Sequence, residues 1–484
     1  MNSSNQQRLC QYTDCLKKNP VLFEPVKDYA FSGDVQKDTA FSVLGPCMNS
    51  FTAWVLQEAL KAGVRRLYFL ARDGYLMYKT AQMYCEHEHL PIECRYLSCS
   101  RYSIRIPMYH LDMEEAMTYI VRGGIDVTFT KILNRAGLDR EEKEEVIRLC
   151  HMEEQSGEVI PYAELKKVRE KLSRCDFFLE AVRKHSEAAM PALEGYLKQE
   201  GLLDDVRASL ADSGWIGSMQ KILNRFLSQM GRKEPLDGYY WGLYELPKGA
   251  DLRDYHCFYF SPVSGLKRKV YFSNCLFEVI FSAPHGMTLG YEAKGREYRP
   301  VYGQTDGKTK AFIEKTESYL SQYTKALLKG QDSAGQSPVS QNDRGKNDKG
   351  QNHKGQSGMA GQETSWERAA DPKTAAELLK RFMGKPTAKE AKVFGRLTFS
   401  DDVLEDEKQE TAVLLTKEEL KANHAANKAL GMLGIKKGKI RESAWYEGSA
   451  ARSGRHVRSH WFSHRIYKYL LYIRKNYQWR KRDV

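Results

Sequence analysis

Three short polar clusters in the 484-residue chain carry residue types suited to handling an anion. They are Arg72-Asp73-Gly74, Ser98-Cys99-Ser100-Arg101 and the run from Asp212 to Ser218. Arg72 and Arg101 offer planar guanidinium forks that pair with a phosphate through two hydrogen bonds at once. Gly214 and Gly217 permit close backbone approach, and the amides of a helix starting there, with the Ser218 hydroxyl, suit a phosphate group. Asp73 and Asp212 are the carboxylates of the set. Either can ligate Mg²⁺ or exchange protons, so both are the catalytic and metal-ligand candidates. Gly74, Ser98, Ser100, Ser213, Trp215 and Gln220 complete the ligand-binding candidates. Plainer readings exist: a tight turn with a packed Trp215, and an ion pair at Arg72. The chain holds no GxxxxGK[ST] motif, so this is not a P-loop.

These clusters need elements to position them. Leu67 to Ala71, Cys94 to Ser98, Ala208 to Ala211, Gly238 to Leu243 and Cys257 to Phe260 are short apolar runs of strand type. Between them lie helical patterns. Phe51, Trp54, Val55, Ala59 and Leu60 share one face, with Asn49 or Ser50 as the cap and Gly63 as the stop. Leu76 to Met83 and Gln220 to Phe226 read as further helices, and 112–200 as a long helical insertion. Strands alternating with helices predict an α/β fold with a mostly parallel, Rossmann-like sheet. In such sheets ligands bind at the carboxyl ends of strands, where all three clusters fall, so they should face one pocket. Glu278, in the apolar run Cys275 to Phe281, and His285, in a turn-like Ala283-Pro284-His285-Gly286, are secondary candidates.

Gly45-Pro46, Phe51 to Trp54 and Tyr68 to Gly74, with Ser98 to Arg101 and Ala211 to Gln220, resemble a family of bacterial predicted hydrolases of the haloacid dehalogenase (HAD) superfamily, over roughly residues 38–300. Such proteins are typical of capsule and surface-polysaccharide gene clusters. The resemblance implies a HAD-like fold, Mg²⁺ as cofactor, and a phosphorylated sugar or nucleotide as ligand. It assigns Asp73 to one position of the family's DxD, Ser98 or Ser100 to its Ser/Thr, and Asp212 to its metal carboxylate. The chain departs from the pattern: Ala71 and Tyr75 flank Asp73 at the two DxD spacings, so one carboxylate is missing locally. Phosphoaspartate chemistry needs both a nucleophile and a proton donor. Three functions therefore stand as expectations: a HAD-like phosphoryl-ligand protein that is hydrolytic if active, a non-catalytic ligand-binding or scaffold protein docked at the membrane, and a phosphoribosyltransferase-like enzyme. The last lacks paired acids, since Ala211 precedes Asp212.

The net charge is +13, and residues 451–484 supply +9 of it, from ten Lys/Arg against Asp483. The body is nearly neutral, so the basicity describes a tail that seeks an anionic partner. Within it Phe462, Ile466, Leu470, Ile473 and Tyr477 recur at helical spacing. Residues 459–484 are thus expected to dock on an anionic membrane surface as a basic amphipathic helix, or to pack that stripe on the protein's own core. Nucleic acid is the least favoured partner, for want of a binding motif. Residues 1–30 form an N-terminal segment, 31–330 the body, 331–365 a Gly/Gln/Asn linker expected to be disordered, and 366–450 a small helical C-terminal region. That region should hold a helix over Pro372 to Phe382 and a strand over Phe394 to Phe399. Ten cysteines without CxxC pairs predict reduced thiols, and Cys85, His87 and His89 read as a polar helix end rather than a metal site. With no apolar leader and no run of about 20 apolar residues, a cytoplasmic protein is expected, peripheral to the membrane if the tail docks.

Overall fold

The computed structural model describes residues 3–123, 127–335, 366–400, 408–432 and 441–480. Helix α1 (Ser3–Leu16) opens the chain, and α2 (Gly45–Lys61) leads into β1 (Arg66–Leu70). Then come α3 (Gly74–His87), β2 (Glu93–Leu97) and α4 (Arg101–Met108). A run of helices ends in α5 (Asp176–Gln199), followed by β3 (Ala208–Trp215), α6 (Ser218–Gln229), β4 (Asp237–Leu243) and β5 (Tyr255–Phe260). Next are α7 (Leu266–Tyr271), α8 (Asn274–Ile280), the hairpin β6 (Thr288–Lys294) and β7 (Glu297–Tyr302), and α9 (Gly307–Gly335). After the linker stand α10 (Pro372–Phe382), α11 (Ala388–Phe394), α12 (Tyr446–Ser453) and α13 (Val457–Arg480).

Strands β1 to β5 form one all-parallel sheet in the order β2-β1-β3-β4-β5. This is the expected α/β, Rossmann-like architecture. Every residue of β1 is buried, because a parallel sheet is covered on both faces. Alternate side chains serve the two layers. Leu67, Phe69, Ala211, Tyr239 and Trp241 join the main core beneath α2 and α3. Tyr68, Leu70, Leu97 and Leu210 pack instead with Leu193 and Leu197 of α5 and Leu223 of α6. The insertion is helical, as expected, and Phe129, Ile132, Leu133, Leu172 and Phe178 give it a core of its own.

The C-terminal region packs into the body. Leu378, Leu379 and Phe382 of α10, Phe394 of α11 and Trp445 belong to the same core as β1 and α2. Arg8 of α1 donates to the Glu390 carboxylate of α11 at 3.1–3.3 Å, and the Tyr12 hydroxyl donates to the same group at 2.5 Å. The N-terminal helix and the C-terminal region are thereby tied through a buried ion pair.

Some local expectations change. Asn49 and Ser50 lie buried inside α2 rather than capping it: the Asn49 side-chain amide donates to the Gly45 carbonyl at 2.9 Å, and Ser50 Oγ accepts from the Asp371 amide at 2.7 Å. The helix continues upstream because α9 and α10 cover that part too. Gly63 does sit just past the helix end, in the left-handed region at φ 69°. Strand β3 runs on to Trp215, so Asp212 to Trp215 are its last residues rather than a loop beyond it. The expected strand at 394–399 shrinks to Thr398–Phe399, because Thr387 and Glu390 form a capping box that carries α11 through Phe394. The first linker residues, 331–335, belong to α9, and its repeats lie outside the described residues.

Candidate functional site

The strand order reverses direction between β1 and β3, the place where a doubly wound sheet leaves a crevice at its carboxyl edge. A cavity of about 570 Å³ opens there, lined by Arg72, Asp73, Ser100, Arg101, and Asp212 to Ser218. Asp73 follows β1 and stands at the start of α3, while Asp212 and Ser213 end the neighbouring strand. The Ser213 hydroxyl donates to Asp73 Oδ2, and Asp212 Oδ1 accepts from the Ser213 amide at 2.8 Å.

Glu278 enters the same cavity from α8, where its carboxylate accepts the Trp215 indole N–H. Burial raises all three carboxyl pKa values, and the charge of Asp73 adds to the rise at the other two. Burial pushes Glu278 up to about 8, with Asp73 contributing, and Asp212 up to about 7 for the same two reasons. Burial also raises Asp73, against the Ser213 hydrogen bond and the positive charge of Arg72 and Arg101. The three keep part of their surface open to the cavity, so the penalty falls on groups a ligand can reach.

The backbone around them is tightly specified. Gly214 has φ 107°, and an added Cβ would lie 2.6 Å from the Gly242 carbonyl oxygen. Gly217 has φ 68°, and a Cβ there would lie 2.6 Å from the Tyr255 ring. Gly74 is excluded from bearing a side chain by the Phe69 backbone, 2.9 Å from where its Cβ would sit. Trp215 itself takes φ 73°, unusual for a bulky residue. Its ring is held among Phe260, Phe272 and Phe277 and by its bond to Glu278. No side chain caps α6, whose first residues and the preceding Ile216 and Gly217 line the cavity. Those first-turn amides lack intrahelical partners, so the helix start is suited to an anion.

The structure does not bring every candidate to the cavity. Ser98 is buried to one side, sharing a 2.6 Å hydrogen bond with the Tyr302 hydroxyl. Gln220 is buried in α6, where its side chain accepts from the Tyr240 hydroxyl and donates to the Asp254 carbonyl. Gly74 serves helix packing. Ser100 lines the cavity and also caps α4, with its hydroxyl donating to the Thr288 carbonyl at 2.6 Å. His285 reaches the rim with both nitrogens engaged: Nδ1 donates to the Gly286 carbonyl at 2.8 Å, and Nε2 lies 2.9 Å from the Tyr96 hydroxyl. Burial, followed by Arg72, lowers its pKa. A neutral ring bonded this way is poorly placed to serve as a base.

Sequence reasoning missed part of the cavity wall. Arg122, Lys131 and Arg135 of the insertion line the cavity, as do Asp306, Ser400 and Lys408. The insertion thus brings cations to the cavity that holds the three carboxylates. The one signal available was the pair Lys131 and Arg135, four residues apart and so on one helical face.

Asp73 and Asp212 offer hard oxygen donors side by side, which once ionised fit Mg²⁺. Asp139, Glu142 and His185 also cluster, with ligand atoms within 4.8 Å of one another. There Asp139 and Glu142 form a capping box, and His185 bonds Glu142, which accounts for the grouping structurally. Cys85 lies 3.6 Å from Cys94 Sγ, and His87 bonds Glu88, in keeping with a helix end. Compared with protein-family models and with curated proteins, the chain matches none of either.

Proposed function

We propose that the cavity at the β1/β3 crevice binds a phosphorylated sugar or nucleotide and hydrolyses its phosphate ester. The observation that carries this reading is the convergence of Asp73, Asp212 and Glu278 with the uncapped start of α6 in one cavity. The α6 amides and the Ser218 hydroxyl receive the phosphate, and Arg72 and Arg101 neutralise its charge. Asp73, oriented by the Ser213 hydroxyl, attacks phosphorus. Glu278 is protonated near neutral pH and gives its proton to the leaving oxygen; as a carboxylate it then takes a proton from the water that attacks phosphorus, which breaks the bond to Asp73 and releases phosphate. The second carboxylate, absent two residues from Asp73, is thus supplied by α8. Asp73 and Asp212 would hold Mg²⁺, which supplies charge neutralisation for the phosphate. The insertion's Arg122, Lys131 and Arg135 cover the other side of the ligand. The resemblance to hydrolases of polysaccharide gene clusters favours a ligand from bacterial surface-polysaccharide assembly.

The test is a thermal-shift screen of the full chain against sugar phosphates and nucleotide sugars, with and without Mg²⁺, followed by phosphate release. A ligand at a hundred times its Kd stabilises by about 2.7 kcal/mol. A shift lost in Asp212→Asn, with phosphate release lost in Asp73→Asn, is expected. A shift without release in the intact protein would instead make it a binding protein. No shift with any phosphorylated compound would remove the proposal.

A further inference from the structure

Helix α13 packs on the body with one face and leaves an apolar stripe on the other. On the packed side, Tyr472 stacks on Tyr244 at 5.4 Å, Lys468 Nζ donates to the Phe272 carbonyl at 3.0 Å, and Asn476 accepts from Lys269 at 2.8 Å. The Trp461 indole donates to the Glu447 carbonyl at 2.9 Å. The stripe points away: Phe462 is 67% exposed, Ile466 40%, Leu470 62%, Ile473 52% and Tyr477 57%. Packing on the protein's own core is therefore done by other residues, and the stripe is left uncovered. A surface helix normally turns its polar residues outward. Five large apolar side chains along one outward face form a patch of the kind that marks an interaction surface.

A basic groove lies one helix away, and Arg465 of α13 sits over the Tyr271 ring that lines it, 4.9 Å from its centroid. α7 packs directly on α13 and α10 on α7, and the groove between α7 and α10 has a volume of about 900 Å³. Lys267, Arg268, Lys373, Lys380 and Arg381 line it. Arg474 and Lys475 are exposed on α13 itself. No described helix is long and apolar enough to cross a membrane.

We propose that this face docks on an anionic lipid bilayer, with the α13 stripe lying in the headgroup–acyl boundary and the groove cations receiving lipid phosphates. The occupant follows from the pairing of features. An apolar stripe alone would suit a protein, and a basic groove alone would suit any anion. An outward apolar stripe beside clustered cations fits a surface that is apolar below and negative above. The inference is independent of the catalytic reading, since it uses none of the cavity residues.

The test is co-sedimentation of the full chain with phosphatidylcholine vesicles, with and without phosphatidylglycerol. Binding only to the phosphatidylglycerol vesicles, weakened by added salt, is expected. Leu470→Ser with Ile473→Ser should lower partitioning more than about tenfold, at unchanged Tm because both side chains are exposed. Each cation removed costs about fivefold, so Lys267→Glu with Lys373→Glu should lose at least as much. Equal binding to both vesicle types, or variants that bind like the parent, would overturn the proposal. So would a parent that ignores vesicles but elutes as a dimer that Leu470→Ser with Ile473→Ser dissociates, since the stripe would then join two copies.

Discussion

The Ser213 hydroxyl donates a hydrogen bond to the Asp73 carboxylate across 140 residues of sequence, joining the end of β3 to the turn after β1. The bond fixes one carboxylate oxygen of a residue that lines the cavity. It also favours the ionised form of Asp73 against a burial penalty, as do Arg72 and Arg101. A nucleophile needs both effects, orientation and charge. Asp73→Asn should therefore abolish phosphate release, by about 10³-fold or more, with ligand affinity changed far less. Ser213→Ala removes the orienting bond alone and should lower kcat about tenfold. Initial rates with a substrate from the ligand screen check both. Equal rates in Ser213→Ala and the parent would show that the bond does not position the reacting group.

The raised carboxyls make a pH signature for stability. Asp212 ordinarily titrates at 3.8 and is pushed up to about 7, and Glu278 goes from 4.5 to about 8. Between those values the folded state keeps protons that the unfolded chain has released. Stability is therefore highest below about pH 4 as far as these two groups are concerned, and falls as pH rises until both have ionised near pH 8. Three pKa units correspond to about 4 kcal/mol, so each group should cost on the order of 2–4 kcal/mol above pH 8. Glu278→Gln and Asp212→Asn should each raise Tm at pH 8 and have little effect at pH 4. Chemical denaturation across that range measures the slope, and a variant with the parent's slope would show that the group is not the source.

Asp212→Asn also tests the acidic floor as a cation site. Mg²⁺ should raise the parent's Tm more at pH 8 than at pH 5, because the carboxylates are then ionised and repel one another. Asp212→Asn should remove most of that increment. Calorimetry with Mg²⁺ alone reads this without any substrate. An increment that survives in Asp212→Asn would move the cation elsewhere.

The inner strands were legible because a parallel sheet buried on both faces writes near-continuous apolar runs into the chain, as Leu67 to Leu70 and Tyr239 to Leu243 do. The clusters at their ends were legible for the same reason: a polar residue directly after such a run falls at the carboxyl edge of the sheet. What was not legible is set by tertiary contact. Asn49 looks like a helix cap, yet it is an interior residue whose amide also bonds Thr324 on α9. Ser98 sits beside Ser100 in the same polar run, but the hairpin's Tyr302 draws it away from the cavity. Glu278 could be flagged as a carboxylate in an apolar segment, but its partner Trp215 lies 63 residues earlier and carries no mark of the pairing. The cations of the insertion were hidden among its many other charges.

The turn that ends β3 should resist any added side chain. Gly214 and Gly217 both lie at positive φ, and a Cβ at either would meet an atom 2.6 Å away. The two obstacles differ. Gly214 faces a backbone carbonyl of β4, which cannot move without breaking the sheet. Gly217 faces the Tyr255 ring, which can shift at some cost in packing. Gly214→Ala should therefore destabilise by about 3 kcal/mol or more, and Gly217→Ala by about 1–2 kcal/mol. Gly217→Ala should also weaken phosphate-ligand binding, because it displaces the first amides of α6. Urea unfolding gives the first comparison and a ligand titration the second. Gly214→Ala as stable as the parent would show that β3 and β4 do not pack at this separation.

The tie between α1 and α11 carries its own prediction. Glu390 accepts from Arg8 and from the Tyr12 hydroxyl, and all three side chains are buried. Its carboxylate also accepts the Thr387 amide at 2.7 Å, closing the capping box of α11. Replacing Glu390 by Ala strands the Arg8 charge in the interior, which typically costs about 3–5 kcal/mol. Arg8 keeps bonds to the Arg381 and Lys385 carbonyls at 2.6–2.7 Å, which offset part of that. Glu390→Ala together with Arg8→Met removes both charges and should recover much of the loss, because a buried pair exchanged for apolar side chains is often near neutral. The recovery is what distinguishes a stranded charge from a lost cap. A cap contributes about 1 kcal/mol and would be lost equally in the single and double variants. Thermal unfolding of the parent, both single variants and the double variant supplies the cycle. A double variant no more stable than Glu390→Ala would mean that Glu390 acts through α11 alone, and that α1 is held by its apolar contacts rather than by this ion pair.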